Sequence, residues 1–284
     1  MIRILVRAPD HLGDGVLALP AITALSPETI VAPAWGDALY GHLAARILRP
    51  AAPLPSADAA VLFKPALRAA WAVRHVPRRV GLSTDQRWPL LTDALAPGRR
   101  HRIDDYAALA AQLDCPPAGG PSYSTRAPSP PLPPRAVLLL PLTASPQTAQ
   151  WQGFRALADA LGDRAVFAAG PGEDAALSAI AGHHAVLPAL SLPAFAAAAC
   201  AAAAVVGNDS GLTHLAAAAR RAASLDPRTV HVACASTDPH RTAAPGARWH
   251  TGSRPPCWPC YRKRCPWQAP CRDAPADAIL AELP

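Results

Sequence analysis

Residues 203–219 read AAVVGNDSGLTHLAAAA. The Ala/Val run that ends at Gly207 has the length of a buried strand, and the alanine-rich segment after Leu212 has the length of a helix. Between them an acid, a hydroxyl, a glycine and a histidine crowd one strand-to-helix turn. The backbone amides of Ser210, Gly211 and Leu212 fall at the helix start, aimed along its dipole, which makes the turn a prospective diphosphate site. Asp209 is an acceptor only and suits sugar hydroxyls rather than phosphate. His214, near the first turn, either donates to an oxyanion or caps its own helix.

The same strand-then-helix rhythm runs through the chain. Residues 2–8, IRILVRA, read as a strand, 11–15, HLGDG, as a loop, and 16–25, VLALPAITAL, as a helix with Pro20 near its start. AAVLF (59–63) reads as a strand and IDDYAALAAQL (103–113) as a helix. The run APSPPLPP, 127–134, continues neither a helix nor a central strand and reads as a semi-rigid spacer. Beyond it the rhythm restarts with RAVLLL and RALADAL, AVFAAG and EDAALSAIAG, then the 203–219 unit, and TVHVACAS ahead of a loop. This predicts an α/β chain of two Rossmann-like domains facing each other across a cleft: residues 1–127, a linker over 128–134, and residues 135–284.

In such sheets ligands bind beyond the carboxyl ends of the strands, so the polar residues after each strand are the candidates. After the first strand, Asp14 lies between Gly13 and Gly15 at a helix start. That setting permits close backbone approach and keeps a carboxylate ionised for general-base work, and it equally suits a plain helix cap. In 141–151, PLTASPQTAQW, Thr143 and Ser145 place hydroxyls where they hold phosphate oxygens or form a turn. In 168–174, AAGPGED, Glu173 or Asp174 accepts from ribose hydroxyls or caps the next helix.

Composition bounds the partners. The 284 residues suit two domains, and the formal charge of +7 favours anionic partners or reflects a solvated basic surface. The opening MIRILVRAPD is too short and too quickly interrupted for a signal peptide, and no apolar run approaches the ~20 residues that span a bilayer. A cytoplasmic location follows as an expectation, with Cys115, Cys200 and Cys234 as free thiols. Cys257, Cys260, Cys265 and Cys271 form C-x2-C-x4-C-x5-C. The set is compact enough for tetrahedral thiolate coordination, and reads as a structural zinc or iron–sulfur clip or as free thiols packed in a loop. The interleaved YRKRC adds basic charge, but with no further basic–aromatic repeat it does not make a nucleic-acid reader.

RAPDHLGDGVLALPAITAL (7–25), RRVGLSTDQRWPLLTDAL (78–95), GNDSGLTHLAAA (207–218), STDPHRTAAPG (236–246) and PCWPCYRKRCPWQAPC (256–271) occur in an order and spacing that resemble the ADP-heptose:lipopolysaccharide heptosyltransferases, glycosyltransferase family 9. The resemblance covers nearly the whole chain. It implies a GT-B fold, an N-terminal acceptor domain and a C-terminal nucleotide-sugar domain. It also implies metal-independent inverting transfer of a heptose or similar sugar from an ADP-sugar to a lipid-linked oligosaccharide of the lipopolysaccharide core, in peripheral contact with the inner membrane face. It places the base on Asp14, the donor-sugar contact on Asp209, the diphosphate amides on Ser210, Gly211 and Leu212, and the motif's histidine on His214. No cofactor is implied for catalysis, and no nucleic-acid partner.

Two departures stand out. The family's loop matching 141–151 usually carries a lysine just before the tryptophan, where this chain has Ala149 and Gln150, leaving Arg155 or Arg241 to replace the cation. RRAASLDPR (220–228) is inserted between two elements that the family joins by a short link. It is either a specificity element or an inert surface loop. A non-catalytic nucleotide-sugar-binding homologue, or a transferase of different donor specificity, is the alternative reading. Arg78, Arg79, Arg87, Arg99, Arg100 and Arg102 are expected either to face phosphorylated lipid acceptors or to be solvated.

Overall fold

The computed structural model describes residues 2–267 and 270–284. The chain divides into two compact units, Met1–Pro121 and Ser122–Pro284. The division falls before the proline-rich run rather than within it. Hydrogen bonds tie the intervening stretch to the second unit: the Tyr123 amide donates to the Ala218 carbonyl at 3.1 Å, and the Thr125 hydroxyl to the Pro193 carbonyl at 3.1 Å.

In the first unit β1 (Ile4–Arg7), β2 (Thr29–Val31), β3 (Arg46–Leu48), β4 (Ala59–Leu62), β5 (Arg78–Leu82) and β6 (Asp93–Leu95) form one sheet in the order β3-β2-β1-β4-β5-β6. Every pairing is parallel. Its helices are α1 (Leu12–Leu25), α2 (Gly36–Tyr40), α3 (Leu67–Ala72) and α4 (Arg102–Ala111). The second unit repeats the plan with β7 (Val137–Leu140), β8 (Ala165–Phe167), β9 (Ala185–Val186), β10 (Ala204–Asn208), β11 (Val230–Cys234) and β12 (Arg248–Thr251), ordered β12-β11-β10-β7-β8-β9 and again parallel. Its helices are α5 (Pro146–Ala149), α6 (Phe154–Leu161), α7 (Asp174–Ala181), α8 (Leu192–Ala201), α9 (Gly211–Ala222), α10 (Pro239–Thr242) and α11 (Ala276–Leu280). Counted from its own first strand, each sheet has the doubly wound order, so the winding reverses between β1 and β4 and between β7 and β10. That reversal opens a ligand crevice at the strand ends.

The buried strands follow from covering both faces of a parallel sheet: β1, β4, β7, β10 and β11 are buried along their whole length. HLGDG is not a free loop. Helix α1 starts at Leu12, so Gly13, Asp14 and Gly15 form its first turn, and Pro20 lies well inside the helix rather than near its start. The glycine after Asp14 has a packing reason: a Cβ on Gly15 would lie 2.6 Å from the Trp35 ring and 2.9 Å from the Tyr40 hydroxyl. That hydroxyl donates to the Gly15 carbonyl at 3.0 Å.

The inserted RRAASLDPR is part helix and part surface loop: Ala223, Ser224, Asp226 and Arg228 are exposed beyond the end of α9. Arg220 and Arg221 belong to the last turn of α9, and Arg220 is buried, donating to the carbonyls of Ala199 at 2.7 Å and Ala202 at 2.9 Å. At the other end of α9, Gly207 lets the first turn sit on the strand. A Cβ there would lie 2.2 Å from the Thr213 hydroxyl, which donates to the Asn208 carbonyl at 2.7 Å. Gly207→Ala forces that turn to shift and is expected to cost about 1–3 kcal/mol, read as a lower urea midpoint at unchanged slope.

Candidate functional site

In the second unit the loops after β7 and β10, on either side of the winding reversal, are joined by one side chain. Asn208 is fully buried. Its Oδ1 accepts the Trp151 amide at 2.8 Å, and its Nδ2 donates to the Pro141 carbonyl at 2.6 Å. Trp151, also buried, donates from Nε1 to the Ala274 carbonyl at 2.8 Å and meets Phe154 edge-on at 4.8 Å between ring centroids. The loop 141–151 is therefore fixed against the strand-to-helix turn 207–214. Thr143 and Ser145 are half-buried on this loop, and Ser145 opens α5 without a side-chain cap.

The turn itself is built around Asp209. Its side chain is 7% exposed, with Oδ1 3.1 Å from His214 Nε2. Oδ2 accepts the Thr242 hydroxyl of α10 at 2.6 Å. Burial pushes the Asp209 carboxyl up, but the contacts with His214 and Thr242 outweigh it and hold the group below the ordinary carboxylate value. Asp209 and His214 are thus brought together, with the His214 Nδ1 buried and without a partner among the described residues. Ser210 is the N-cap of α9 in extended backbone, and Gly211 and Leu212 form its first turn, half-buried. The leading amides of a helix lack intrahelical acceptors and carry the positive end of its dipole. Glu173, exposed at the N-cap of α7, is engaged locally: its Oε2 accepts the Gly170 amide at 2.8 Å.

Where a lysine is missing at Ala149 and Gln150, an arginine from the C-terminal part of the chain is present. Arg272 donates from Nε to the Gln150 carbonyl at 2.6 Å and from a terminal nitrogen to the Gln147 carbonyl at 3.1 Å. Arg155 instead donates to the Ala181 carbonyl at 2.5 Å beside α7, and Arg241 lies on α10 next to Thr242. Cys257, Cys260, Cys265 and Cys271 line one apolar cavity of about 330 Å³ with Trp258 and Trp267, and all are free thiols. Burial pushes the Cys271 thiol up, reinforced by the neighbouring Cys260, Cys265 and Cys257.

In the first unit Asp14 sits in the first turn of α1 beside the β1/β4 reversal, and both its oxygens are held by Arg102, at 2.9 and 3.1 Å. The buried Tyr106 shares the network through side-chain hydrogen bonds to Asp14 and Arg102. Burial works against the Arg102 charge, yet Asp14 and Tyr106 more than compensate and raise its pKa. Among the other arginines, Arg87 is fully buried on the Leu82 and Lys64 carbonyls, at 2.8 and 2.5 Å, and burial pulls its pKa down to about 10. Arg78 pairs with Asp93 at 3.2 Å, and Arg79 bonds the Leu90 carbonyl at 2.7 Å. Arg99 and Arg100 remain exposed. The expected basic face is mostly spent on the unit's own carbonyls and carboxylates.

Asn208, Thr242, Arg272 and Tyr106 are residues of these clusters that sequence reasoning did not single out, and Arg102 was named there only as an acceptor contact or a solvated cation, not as the partner of Asp14. The offset from Asp14 to Arg102 carries no local signal, whereas Asn208 stood unread inside the motif itself. Asn208→Ala leaves the Trp151 amide and the Pro141 carbonyl buried without partners, and is expected to cost about 1–3 kcal/mol per orphaned group by urea unfolding.

The family model described as glycosyltransferase family 9 (heptosyltransferase) matches residues 54–269. Among solved structures, E. coli ADP-heptose lps heptosyltransferase II is similar at a TM-score of 0.70, with 18% identity, over 99% of this chain and 98% of that one. E. coli heptosyltransferase WaaC, solved with ADP-2-deoxy-2-fluoro heptose, is similar at 0.70, with 17% identity, over 99% of each chain. The iron-containing dodecameric glycosyltransferase TibC from enterotoxigenic E. coli H10407 is similar at 0.64, with 15% identity, over 99% of this chain and 78% of that one. No curated protein matches the sequence. The structural likeness carries the fold, a GT-B pair of Rossmann-like domains, and the family match spans well over half of the residues. The chain belongs to glycosyltransferase family 9, the heptosyltransferase family, and is a glycosyltransferase.

Proposed function

We propose that this chain transfers a heptose-like sugar from an ADP-sugar to a lipid-linked oligosaccharide of the lipopolysaccharide core, with inversion and without a catalytic metal. The observation that carries this reading is the Asn208 staple. It fixes the loops after β7 and β10 against each other at the winding reversal, beside the leading amides of α9. These amides would receive the donor diphosphate, and the arginines of α10 and of the C-terminal segment would add positive potential as the sugar–phosphate bond breaks. Asp209 spends its carboxylate on His214 and Thr242, so it shapes the turn and presents His214 rather than holding a cation. Thr143, Ser145 and Glu173 are proposed as further donor contacts.

On the first unit, Asp14 would take the proton of the acceptor hydroxyl as that oxygen attacks the anomeric carbon and the diphosphate departs with the bonding electrons. Arg102 and Tyr106 hold the carboxylate in one orientation beforehand. Peripheral contact with a membrane is supported by two exposed tryptophans on this unit. Trp71 is 57% exposed with the Arg74 guanidinium 4.6 Å from its ring centroid, and Trp88 is 63% exposed. No helix among the described residues is long and apolar enough to cross a membrane.

The four cysteines supply soft donors around one apolar cavity, the residue type that holds a thiolate-bound metal, although among the described residues no three of their sulfurs lie within 4.8 Å of one another, so the set would have to close on the ion. Zinc or iron–sulfur held by Cys257, Cys260, Cys265 and Cys271 would supply structure rather than chemistry. The same segment grips the donor loop, through Arg272 and through the Thr148 hydroxyl, which donates to the Arg262 carbonyl at 2.5 Å. Stripping the metal with chelator should lower the melting temperature and weaken ADP binding together, as read by metal analysis and thermal shift; metal-free protein with unchanged melting overturns the clip.

Thermal shifts with ADP, UDP, GDP and ADP-heptose test the donor. A shift selective for ADP and larger with ADP-heptose is expected; a shift without turnover favours the non-catalytic nucleotide-sugar-binding alternative, and no shift at millimolar nucleotide overturns the donor site. Asp14→Asn should lower turnover by about 10²–10⁴-fold with the ADP shift retained, and turnover that survives the change removes Asp14 as the base.

A further inference from the structure

At the far edge of the second sheet, two histidines touch in a place that the transfer chemistry does not use. His231 lies on β11, fully buried, and His250 on the edge strand β12, half-buried. In the parallel register His231 is opposite Arg248, so His250, two residues further on, shares its face of the sheet. His231 Nδ1 is 3.0 Å from His250 Nε2, and the rings are nearly parallel, 15° between planes with centroids 5.3 Å apart. Glu282, beyond the end of α11, completes the group. One ligand atom from each of the three residues lies within 4.8 Å of the other two.

A direct contact between two neutral imidazoles is satisfied by one shared proton and makes no use of the nearby Glu282 carboxylate, whose partner here is Arg248. We propose that His231, His250 and Glu282 form a binding site for a divalent first-row transition ion of the zinc class, separate from both the donor turn and the cysteine cavity. Two imidazole nitrogens and one carboxylate oxygen form the donor set such ions prefer, leaving a further position for water. The geometry is nearly made. An ion about 2.0–2.1 Å from each nitrogen in tetrahedral arrangement places the nitrogens roughly 3.3 Å apart, so the pair must open by only a few tenths of an ångström. Arg248 already holds one oxygen of Glu282, fixing the carboxylate as an outer partner does in metal sites and leaving its other oxygen for the ion. Entry is from the Glu282 side, where the carboxylate is partly exposed.

The ion would fasten the segment after α11 to the exposed edge strand β12. Ile279 is in the second unit's core and Leu280 and Leu283 pack against it, while β12 is exposed or half-buried along its length. Binding should therefore raise the melting temperature as well as consume metal.

The test is a Zn²⁺ titration of chelator-treated, full-length protein by calorimetry, comparing wild type with His250→Gln and Glu282→Gln, paired with Co²⁺ absorption spectra. His250→Gln keeps a hydrogen-bonding group beside His231, and Glu282→Gln changes an exposed side chain. Wild type is expected to take up an additional equivalent that His250→Gln lacks and that Glu282→Gln binds at least about tenfold more weakly. The Co²⁺ difference spectrum should show ligand-field bands without thiolate charge transfer, and Zn²⁺ should raise the melting temperature of wild type more than that of either variant, each measured against its own metal-free form. Identical uptake and affinity in all three proteins overturns the site, as does a lost event carrying the thiolate signature, which belongs to the cysteines. Should His250→Gln fail to fold, the Glu282→Gln comparison decides alone.

Discussion

The carboxamide of Asn208 ties the loop after β7 to the end of β10 in the second unit. A buried amide offers an acceptor and a donor in fixed relation, and here one meets the Trp151 N–H and the other the Pro141 carbonyl. With both satisfied, the loop after β7 has one position relative to the end of β10. Trp151 is then committed to the core, its indole reaches the Ala274 carbonyl, and the neighbouring Arg272 finds the carbonyls of Gln147 and Gln150. A chain of hydrogen bonds thus runs from the strand-to-helix turn through the loop to the cysteine-bearing segment. An aspartate at 208 would lose the donor and present a buried charge, so the residue type is dictated by the geometry on both sides.

Each unit also holds one carboxylate at its winding reversal by a group from an element further along the chain. In the first, Arg102 and Tyr106 of α4 hold Asp14; in the second, Thr242 of α10 and His214 of α9 hold Asp209. The two environments differ in kind. Asp209 is buried and satisfied by hydrogen bonds from neutral hydroxyls and an imidazole, which fits a shaping role. Asp14 is only partly buried and paired with a full cation, an arrangement that keeps a carboxylate oriented while leaving it reachable. Oriented groups that need no reorganisation at the moment of reaction are what a displacement at an anomeric carbon requires.

The C-terminal third of the second unit relies less on apolar burial than the sheet centre does. Strand β12 is exposed or half-buried along its length, and the cysteine segment contributes few buried side chains. Edge strands and short terminal segments need anchors other than a core. Here those anchors are polar: the His231–His250 contact, the Arg248–Glu282 ion pair, and the thiols around the Trp258 cavity. Burial keeps the His231 pKa down at about 4, so the imidazole pair stays uncharged and costs the edge no buried cation.

The sequence by itself determined the parts of this protein set by local pattern. Central strands such as VLLL and VVG are legible because both faces of a parallel sheet are covered, so their residues are apolar without interruption. The turn at 207–214 is legible because a helix start needs particular residue types within a few positions. The short outer strands β3, β6, β9 and β12 were not legible, since each is at most four residues and half-exposed or exposed, which removes the hydrophobic signal. The start of α1 was misread for a related reason: glycines normally mark a loop, but Gly15 is there to admit Trp35 and Tyr40. Only the tertiary structure decided which arginines are spent internally, which residue holds Asp14, and that Arg272 meets the loop where the lysine is absent. The Asp14–Arg102 and Gln147–Arg272 pairings join residues 88 and 125 positions apart, and their distances depend on the packing of whole helices rather than on any local preference of the chain.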